Sequence, residues 1–428
     1  MKTFAEALEW LDGLRKFGIK PGLERMNWLL ARLEHPERRL KTIHVAGTNG
    51  KGSTVQFLCQ ILMEAGHEVG TFMSPHVQHA TDRIAVNGRP IAEETFLEIA
   101  NQVRPVVEEL AETEFGEATE FEVMTLIAIV YFAKKAFPDV VIFEVGLGGR
   151  LDSTNIIHPM VSIITNVHKD HTDILGETLE EIAREKAGII KTGVTVITAA
   201  EGVGLEVIQK TAKDRRAKCY RLGQDFFYEN VSSEADGERF DFKSPWSRKE
   251  KLHIRLKGEH QIKNAALALM AIEYLYFFFG LHVEMEHIQL GLLHACFPAR
   301  FEEMRRKPTV VFDGAHNPEA AKQLAATVAD RFSDRPIHIV FAALKNKDVK
   351  TMIANLEKVA DEITFTSFLH PNAHDAETLA SFSTLTNKKV VGDARNAIQQ
   401  ALQHASDQTV IVVTGSLYFL SEVRGDFE

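Results

Sequence analysis

The stretch Ile43-His44-Val45-Ala46-Gly47-Thr48-Asn49-Gly50-Lys51-Gly52-Ser53-Thr54 runs from an apolar strand through a glycine-dense turn into helix-period sequence. The spacing predicts a helix from Ser53, with an apolar stripe at Val55, Leu58 and Leu62. Glycines let the backbone bend tightly and aim successive amides at one anion, and the helix N-terminus adds partial positive charge. Lys51 supplies a full charge, and a hydroxyl just beyond such a lysine is the usual ligand of a triphosphate-bound Mg²⁺. Thr48, Asn49, Gly50, Lys51, Gly52 and Ser53 are therefore candidate nucleotide-binding residues, with Ser53 the candidate metal ligand among them. The pattern is not the standard phosphate loop, because Gly52 separates Lys51 from Ser53. A ligand-free strand-to-helix turn is the competing reading, but lysine, hydroxyl and helix start coincide where the chemistry requires them. The loop implies a nucleotide and leaves the reaction open.

Outward from this loop, short apolar runs alternate with helical patterns. Thr42–Ala46, Val140–Val145, Val161–Val167 and Val194–Ala199 read as strands of a parallel sheet with helices on both faces. Between about Phe226 and Leu256 the texture changes to three short segments resembling a small antiparallel sheet, and a helical stretch, Gln261 to Phe279, comes next. From Pro298 the alternation restarts, with strands expected at Thr309–Phe312, Ile337–Phe341, Glu362–Ser367, Lys389–Val391 and Thr409–Val413. The expected fold is α/β: a P-loop-type parallel-sheet ATPase domain over 1–297 with a small appended antiparallel sheet, then a second Rossmann-like α/β domain over 298–428.

Composition narrows the function. The 428 residues carry 49 basic against 59 acidic side chains, a net charge of −10 that argues against a nucleic-acid binder. Three scattered cysteines, Cys59, Cys219 and Cys296, form neither a disulfide framework nor a zinc signature, so a reducing compartment fits. The start, MKTFAEALEWLDGL, is an amphipathic helix rather than a signal peptide, and the longest apolar run, Val123 to Ala133, is too short for a bilayer. A cytoplasmic monomer without membrane or nucleic-acid partners is expected.

GTNGKGS, residues 47–53, resembles the phosphate loop of the Mur ligase superfamily, and within it the folylpolyglutamate synthases and dihydrofolate synthases. Further matches occur in order along both blocks: Gly22-Leu23-Glu24-Arg25, Ser74-Pro75-His76, Glu144 through Asp152, Thr154-Asn155, Asp170-His171, Glu185-Lys186-Ala187-Gly188, Gly258-Glu259-His260-Gln261 with Asn264, Arg300-Phe301-Glu302, Asp313 through Pro318, and Thr414-Gly415-Ser416. Departures include Thr81-Asp82-Arg83 after the Ser-Pro-His loop, Ala299 where a glycine commonly precedes Arg-Phe-Glu, and His168-Lys169. They fall on the side expected to hold the acceptor, so they bear on substrate preference more than on reaction type.

The resemblance implies an ATP- and Mg²⁺-dependent ligase that joins L-glutamate to the carboxylate of a reduced folate or of dihydropteroate through an acyl phosphate. It implies that Lys51, Glu144, His171 and Lys186 are catalytic, and that Ser74, Glu144 and His171 hold Mg²⁺ with Ser53 near the nucleotide-bound ion. Lys186 would be carbamylated by CO₂; read alone, it is as easily a solvent-facing helix lysine. Asn264, Arg300, Asp313 and His316 would contact ATP, with the nucleotide between the domains and domain closure assembling the site. Ser74, Arg83, Thr119 and Phe121 mark the pterin side. Read alone, Glu144 stands at the C-terminal end of a strand, the ligand-binding edge of a parallel sheet. His171 is one of 18 histidines, and His76, His79 and His168 rival it. A dihydrofolate synthase only, a peptidoglycan-type Mur ligase and a P-loop regulatory nucleotide-binding protein are the alternatives; about 40 residues before the first strand are too few for the Mur enzymes' extra N-terminal domain.

Overall fold

The computed structural model describes residues 1–18, 20–75 and 80–427. The first sheet contains β1 (Thr42–Ala46), β2 (Val69–Phe72), β3 (Ile84–Val86), β4 (Arg89–Pro90), β5 (Val140–Glu144), β6 (Val161–Ile164), β7 (Val196–Thr198) and β8 (Cys219–Arg221) in the order β4-β3-β2-β5-β1-β6-β7-β8. β2, β5, β1, β6, β7 and β8 are parallel; β3 and β4 close one edge antiparallel. Every residue of β1, β2, β5 and β6 is buried, as interior parallel strands covered on both faces must be. The helix Glu120–Tyr131 buries nearly all its residues, which explains why the run from Val123 is apolar all round rather than striped.

Three further strands, β9 (Phe227–Glu234), β10 (Gly237–Lys243) and β11 (Arg248–Ile254), form the small sheet expected from the sequence. A last sheet has β12 (Glu302–Arg306), β13 (Thr309–Asp313), β14 (Ile337–Phe341), β15 (Glu362–Ser367), β16 (Lys388–Asp393) and β17 (Val410–Thr414) in the order β12-β13-β17-β14-β15-β16. Only β12 is antiparallel to its neighbour. The predicted two-block α/β architecture is thus present.

The chain divides into two compact units: Met1–Val231, Phe240–His253 and Lys263–Ala295 make one, and Ser232–Arg239, Ile254–Ile262 and Cys296–Glu428 the other. The segments 232–239 and 254–262, which the sequence reading places with the first block, pack with the second. The helix Glu259–Phe279 is long and apolar enough to cross a membrane by length and composition, and 67% of its most apolar window is buried.

Candidate functional site

Four neighbouring strands of the first sheet end side by side. Val45 on β1 pairs with Glu144 on β5, Ala46 with Ile164 on β6, and Phe72 on β2 with Phe143. The segments leaving these strands therefore gather at one carboxyl edge, where parallel sheets bind ligands. They are Gly47–Ser53 after β1, Ser74 after β2, the loop 145–152 after β5, and Thr165–His171 after β6.

The helix after the phosphate loop is Lys51–Glu64, two residues longer at its start than the pattern suggests. Gly50 is its N-cap at φ 83, a left-handed conformation, and its carbonyl accepts both the Thr54 amide and the Thr54 hydroxyl. A Cβ on Gly50 would lie 2.3 Å from Oδ1 of Asn264, and one on Gly47, at φ 148, 1.8 Å from the Thr165 hydroxyl. Asn264 and the phosphate loop are thus brought together, and neither glycine tolerates a side chain.

The loop is fastened to the segment after β6. Thr165 Oγ1 and Asn166 Nδ2 donate to the Asn49 carbonyl at 2.6 and 2.9 Å, and Asn166 Oδ1 accepts the Asn49 amide at 3.0 Å. Thr48 and His168 exchange two bonds, hydroxyl to carbonyl and amide to hydroxyl. The ammonium of Lys51 folds back onto the Gly47 and Thr48 carbonyls at 3.2 and 3.4 Å. Gly52 and Ser53 are buried.

Glu144 is 5% exposed and accepts the Ser74 amide at 3.3 Å, so these two proposed metal ligands are adjacent. His171 stands in the left-handed region at φ 50, caps the short helix Thr172–Leu175, and is one-third exposed beside Asp170. Lys186, in the helix Leu179–Ala187, is 3% exposed. Burial, and then the charge of Lys51, push its amine down to about 7, against the opposing pull of Asp170 and Glu185. An ordinary solvent-facing lysine is excluded by that burial. His76 and His79, the rivals of His171, lie outside the described residues.

The loop 145–152 fits against this helix closely. Arg150 pairs with Glu185 by side chain and backbone, and a Cβ on Gly149 or Gly188 would strike Glu185 O or Arg150. Asp152, not a site residue in the sequence reading, accepts from the Leu147 amide, the Thr154 amide and the Thr154 hydroxyl. Burial raises its pKa while those donors oppose the rise. Phe121 lies over Gly146, whose added Cβ would meet its ring at 2.5 Å. Thr119 has a structural duty: its hydroxyl caps the helix Glu120–Tyr131 in a reciprocal box with Glu122, which Arg25 grips at 2.9 and 3.1 Å. Arg83 pairs with Glu120 at 2.8 Å. Asp152, Asn166 and Arg25 are visible in the sequence at most as motif or loop members, because their partners are backbone groups or residues distant in the chain.

In the second unit Asp313 ends β13 and accepts the amides of Phe301 and Ala315, each at 2.9 Å. Desolvation raises its carboxyl, opposed by the Arg300 charge and the two amides. Ala299 and Phe301 flank Arg300 at φ 59 and 44, so the place where a glycine is common is left-handed here with an alanine in it. His316 Nδ1 lies 2.9 Å from the Gly314 carbonyl. Arg300, Asp313 and His316 therefore cluster on one loop system.

Among the described residues no three His, Cys, Asp or Glu side chains form a preassembled metal cluster. The donor set present is hydroxyls, one carboxylate and one imidazole, beside a cradle of bare glycine Cα atoms. That suits Mg²⁺, which takes few protein ligands and completes its shell with phosphate oxygens and water.

Residues 45–272 match the Mur ligase middle domain, and residues 299–417 the Mur ligase glutamate ligase domain. The chain is 44% identical over 423 residues to the dihydrofolate synthase/folylpolyglutamate synthase of Bacillus subtilis, covering 99% of this chain and 98% of that protein. The structure of Mycobacterium tuberculosis folylpolyglutamate synthase complexed with ADP superposes with a TM-score of 0.92 at 31% identity, covering 99% and 98%. A bifunctional folylpolyglutamate synthase/dihydrofolate synthase with Mn, AMPPNP and L-glutamate bound gives 0.88 at 31% identity, covering 100% and 98%.

Proposed function

Because the chain belongs to the folylpolyglutamate synthase and dihydrofolate synthase family of Mur ligases, we propose that it joins L-glutamate to a folate-type carboxylate at the expense of ATP. The observation that carries this reading is the convergence of Lys51, Ser74 with Glu144, and buried Lys186 on one sheet edge. A binding module needs the loop alone; a ligase also needs the carboxylate and the buried amine. The ligands held by the relatives support ATP, a divalent ion and glutamate as the small molecules.

The loop amides and Lys51 hold the β- and γ-phosphates. Two like unit charges 4 Å apart repel by about 4 kcal/mol even at an effective dielectric near 20, so a carboxylate reaches the γ-phosphorus only where that charge is neutralised. A carboxylate oxygen of the acceptor bonds to the γ-phosphorus, the bond to the β-phosphate oxygen breaks, and ADP and an acyl phosphate result. The neutral amine of glutamate then bonds to the acyl carbon, inorganic phosphate leaves with the electron pair, and the nitrogen loses its proton. Ser53, Ser74, Glu144 and His171 would hold Mg²⁺, which when bound screens the phosphate charge.

Lys186 as a bare cation conflicts with a metal and with Lys51. Its neutral amine can add to CO₂, losing one proton to give a carbamate, and an amine that titrates near 7 is neutral often enough for that addition. Asn264 would meet the nucleotide at the loop, and Arg300, Asp313 and His316 are proposed as the second unit's ATP contacts. Phe121 and Arg83, with Ser74, mark the pterin side.

Purified protein is to be given ATP, Mg²⁺ and radiolabelled glutamate with dihydropteroate or with tetrahydrofolate. Label entering either acceptor is expected, and which one is elongated separates dihydrofolate synthesis from polyglutamylation. ATP turnover that ignores both acceptors would overturn the ligase reading.

A further inference from the structure

His44 sits in the middle of β1 and is fully buried, yet its Nδ1 has no hydrogen-bond partner. A leucine or phenylalanine would fill a central strand position without that unmet acceptor. Its Nε2 lies 2.9 Å from the hydroxyl of Thr154, which is itself fully buried and in close contact with Oδ1 of Asp152. The Asp152 carboxylate is surrounded by donors, with the Leu147 amide at 2.8 Å and the Thr154 amide at 3.0 Å. The backbone and hydroxyl donors around Asp152 favour its ionised form against burial, and in that form the single Thr154 proton goes to the carboxylate and His44 donates Nε2–H to Thr154. Burial and the Lys191 charge keep the imidazole neutral, its pKa pushed down to about 3, so this tautomer persists at neutral pH. The chain runs His44 Nε2–H to Thr154 Oγ1–H to Asp152.

We propose that His44 is a positioning residue for the acceptor substrate, holding the Asp152 carboxylate through Thr154. Asp152 and Phe121 both close on Gly146, whose added Cβ would lie 3.2 Å from Asp152 Oδ2 and 2.5 Å from the ring. The inference rests on the ligase reading, in which Phe121 lines the pterin side. A tilt of the Asp152 carboxylate moves the loop 146–152 against that ring, while the phosphate loop keeps its own anchors to Thr165, Asn166 and His168.

The test compares His44→Leu and His44→Gln in steady-state ligation of glutamate to dihydropteroate, with KM measured separately for dihydropteroate and for ATP. The Gln amide can replace the Nε2–H donor; Leu cannot. Loss of one buried neutral hydrogen bond predicts a rise of about fivefold to tenfold in the dihydropteroate KM of His44→Leu. The ATP KM is expected unchanged, and His44→Gln close to the parent. An unchanged dihydropteroate KM in His44→Leu, an equal rise in both KM values, or a His44→Gln as impaired as His44→Leu would overturn the proposal. If His44→Leu does not fold, Thr154→Val against Thr154→Ser breaks and keeps the middle link and is read the same way. A parent enzyme that ligates neither dihydropteroate nor tetrahydrofolate would instead remove the ligase reading.

Discussion

At the scale of single residues the site is a problem of buried charge. Lys51 lies on the phosphate-loop carbonyls and is only partly covered, so replacing it by alanine should leave folding nearly intact while slowing ligation by orders of magnitude. Circular dichroism and single-turnover rates check the two halves; a near-normal rate would remove Lys51 from the chemistry. Lys186 is the reverse case, an amine enclosed by protein and driven down to about 7. Incubation with ¹³C-labelled bicarbonate should give a carbamate carbon resonance in the parent that is missing in Lys186→Ala, whose weak ligation acetate or formate should partly restore. A parent without that resonance when active and metal-loaded would return Lys186 to a bare amine. His44 makes a third, thermodynamic case. Its folded pKa of about 3 lies below the ordinary 6.5, so from pH 6.5 down to 3 the unfolded chain binds a proton that the native state refuses. The native state therefore loses stability as pH falls through that window, by on the order of a few kcal/mol in full. His44→Gln should lose less over the same window, measured by urea unfolding at pH 6.5 and pH 4; equal losses would assign the acid sensitivity elsewhere. Lys51 is legible because its loop has a spacing with a mechanism, and Glu144 because it ends a strand at the ligand-binding edge of a parallel sheet, whereas Lys186 is legible only through the family resemblance. His44 is legible only as a strand residue, since nothing local announces a partner 110 positions away.

Elements are legible where burial is simple. β1, β14 and β15 have the bounds that the sequence suggests, because interior parallel strands, buried throughout in β1 and β14 and over the four inner residues of β15, are short runs rich in apolar and β-branched residues. β2, in the interior of the first sheet, escapes a reading by pattern: Val69-Gly70-Thr71-Phe72 is short and contains a glycine. That glycine is required by packing, since an added Cβ would lie 2.9 Å from the Phe132 ring and 3.1 Å from Pro138. β12 escapes it for the opposite reason, its Glu-Glu-Met-Arg-Arg being the polar, largely uncovered edge of its sheet. The helix Glu120–Tyr131 shows how an element and a site share one residue. Thr119 stands where the resemblance expects substrate, and its oxygen accepts the Glu122 amide at 3.2 Å, leaving its O–H available to another partner. Thr119→Ala should destabilise the protein by about 1 kcal/mol through loss of the cap, and Thr119→Ser by much less. Denaturant midpoints of the two variants decide this. A Thr119→Ala as stable as the parent would mean that Arg25 and Glu122 fix the helix start unaided.

On the scale of the whole chain, the restart of the α/β pattern near Pro298 marks where the last sheet begins but not everything that packs with it. Segments 232–239 and 254–262 join the second unit, and the groups that hold them there are far apart in sequence. Arg331, on the helix Pro318–Phe332, donates to the carbonyls of Glu234 and Gly237 at 2.7 and 2.8 Å and to the carboxylate of Glu238 at 2.5 Å. Glu238 in turn accepts the Gly258 amide at 2.6 Å and the Ser233 hydroxyl at 2.8 Å. Gly258 has φ 99, and an added Cβ would lie 2.5 Å from the Thr327 hydroxyl of the same helix. One helix therefore grips the turn between β9 and β10 and the residue from which the helix Glu259–Phe279 departs. No sequence pattern could announce this, because an arginine in a helix and a glutamate in a strand are each ordinary surface residues until folding encloses both. Here Glu238 is 1% exposed and the Arg331 side chain 8%. Removing one partner of such a pair leaves a buried charge unpaired, at a cost of about 3–5 kcal/mol. Arg331→Ala should consequently open this region below the threshold for global unfolding. Native-state hydrogen exchange should show lost protection at the amide of Gly258 and along residues 232–239, with the β1 and β5 amides of the first sheet unchanged. Protection at Gly258 equal to the parent's would mean that the Ser233 hydroxyl and water suffice for Glu238, and that the arginine is not what ties these segments to the second unit.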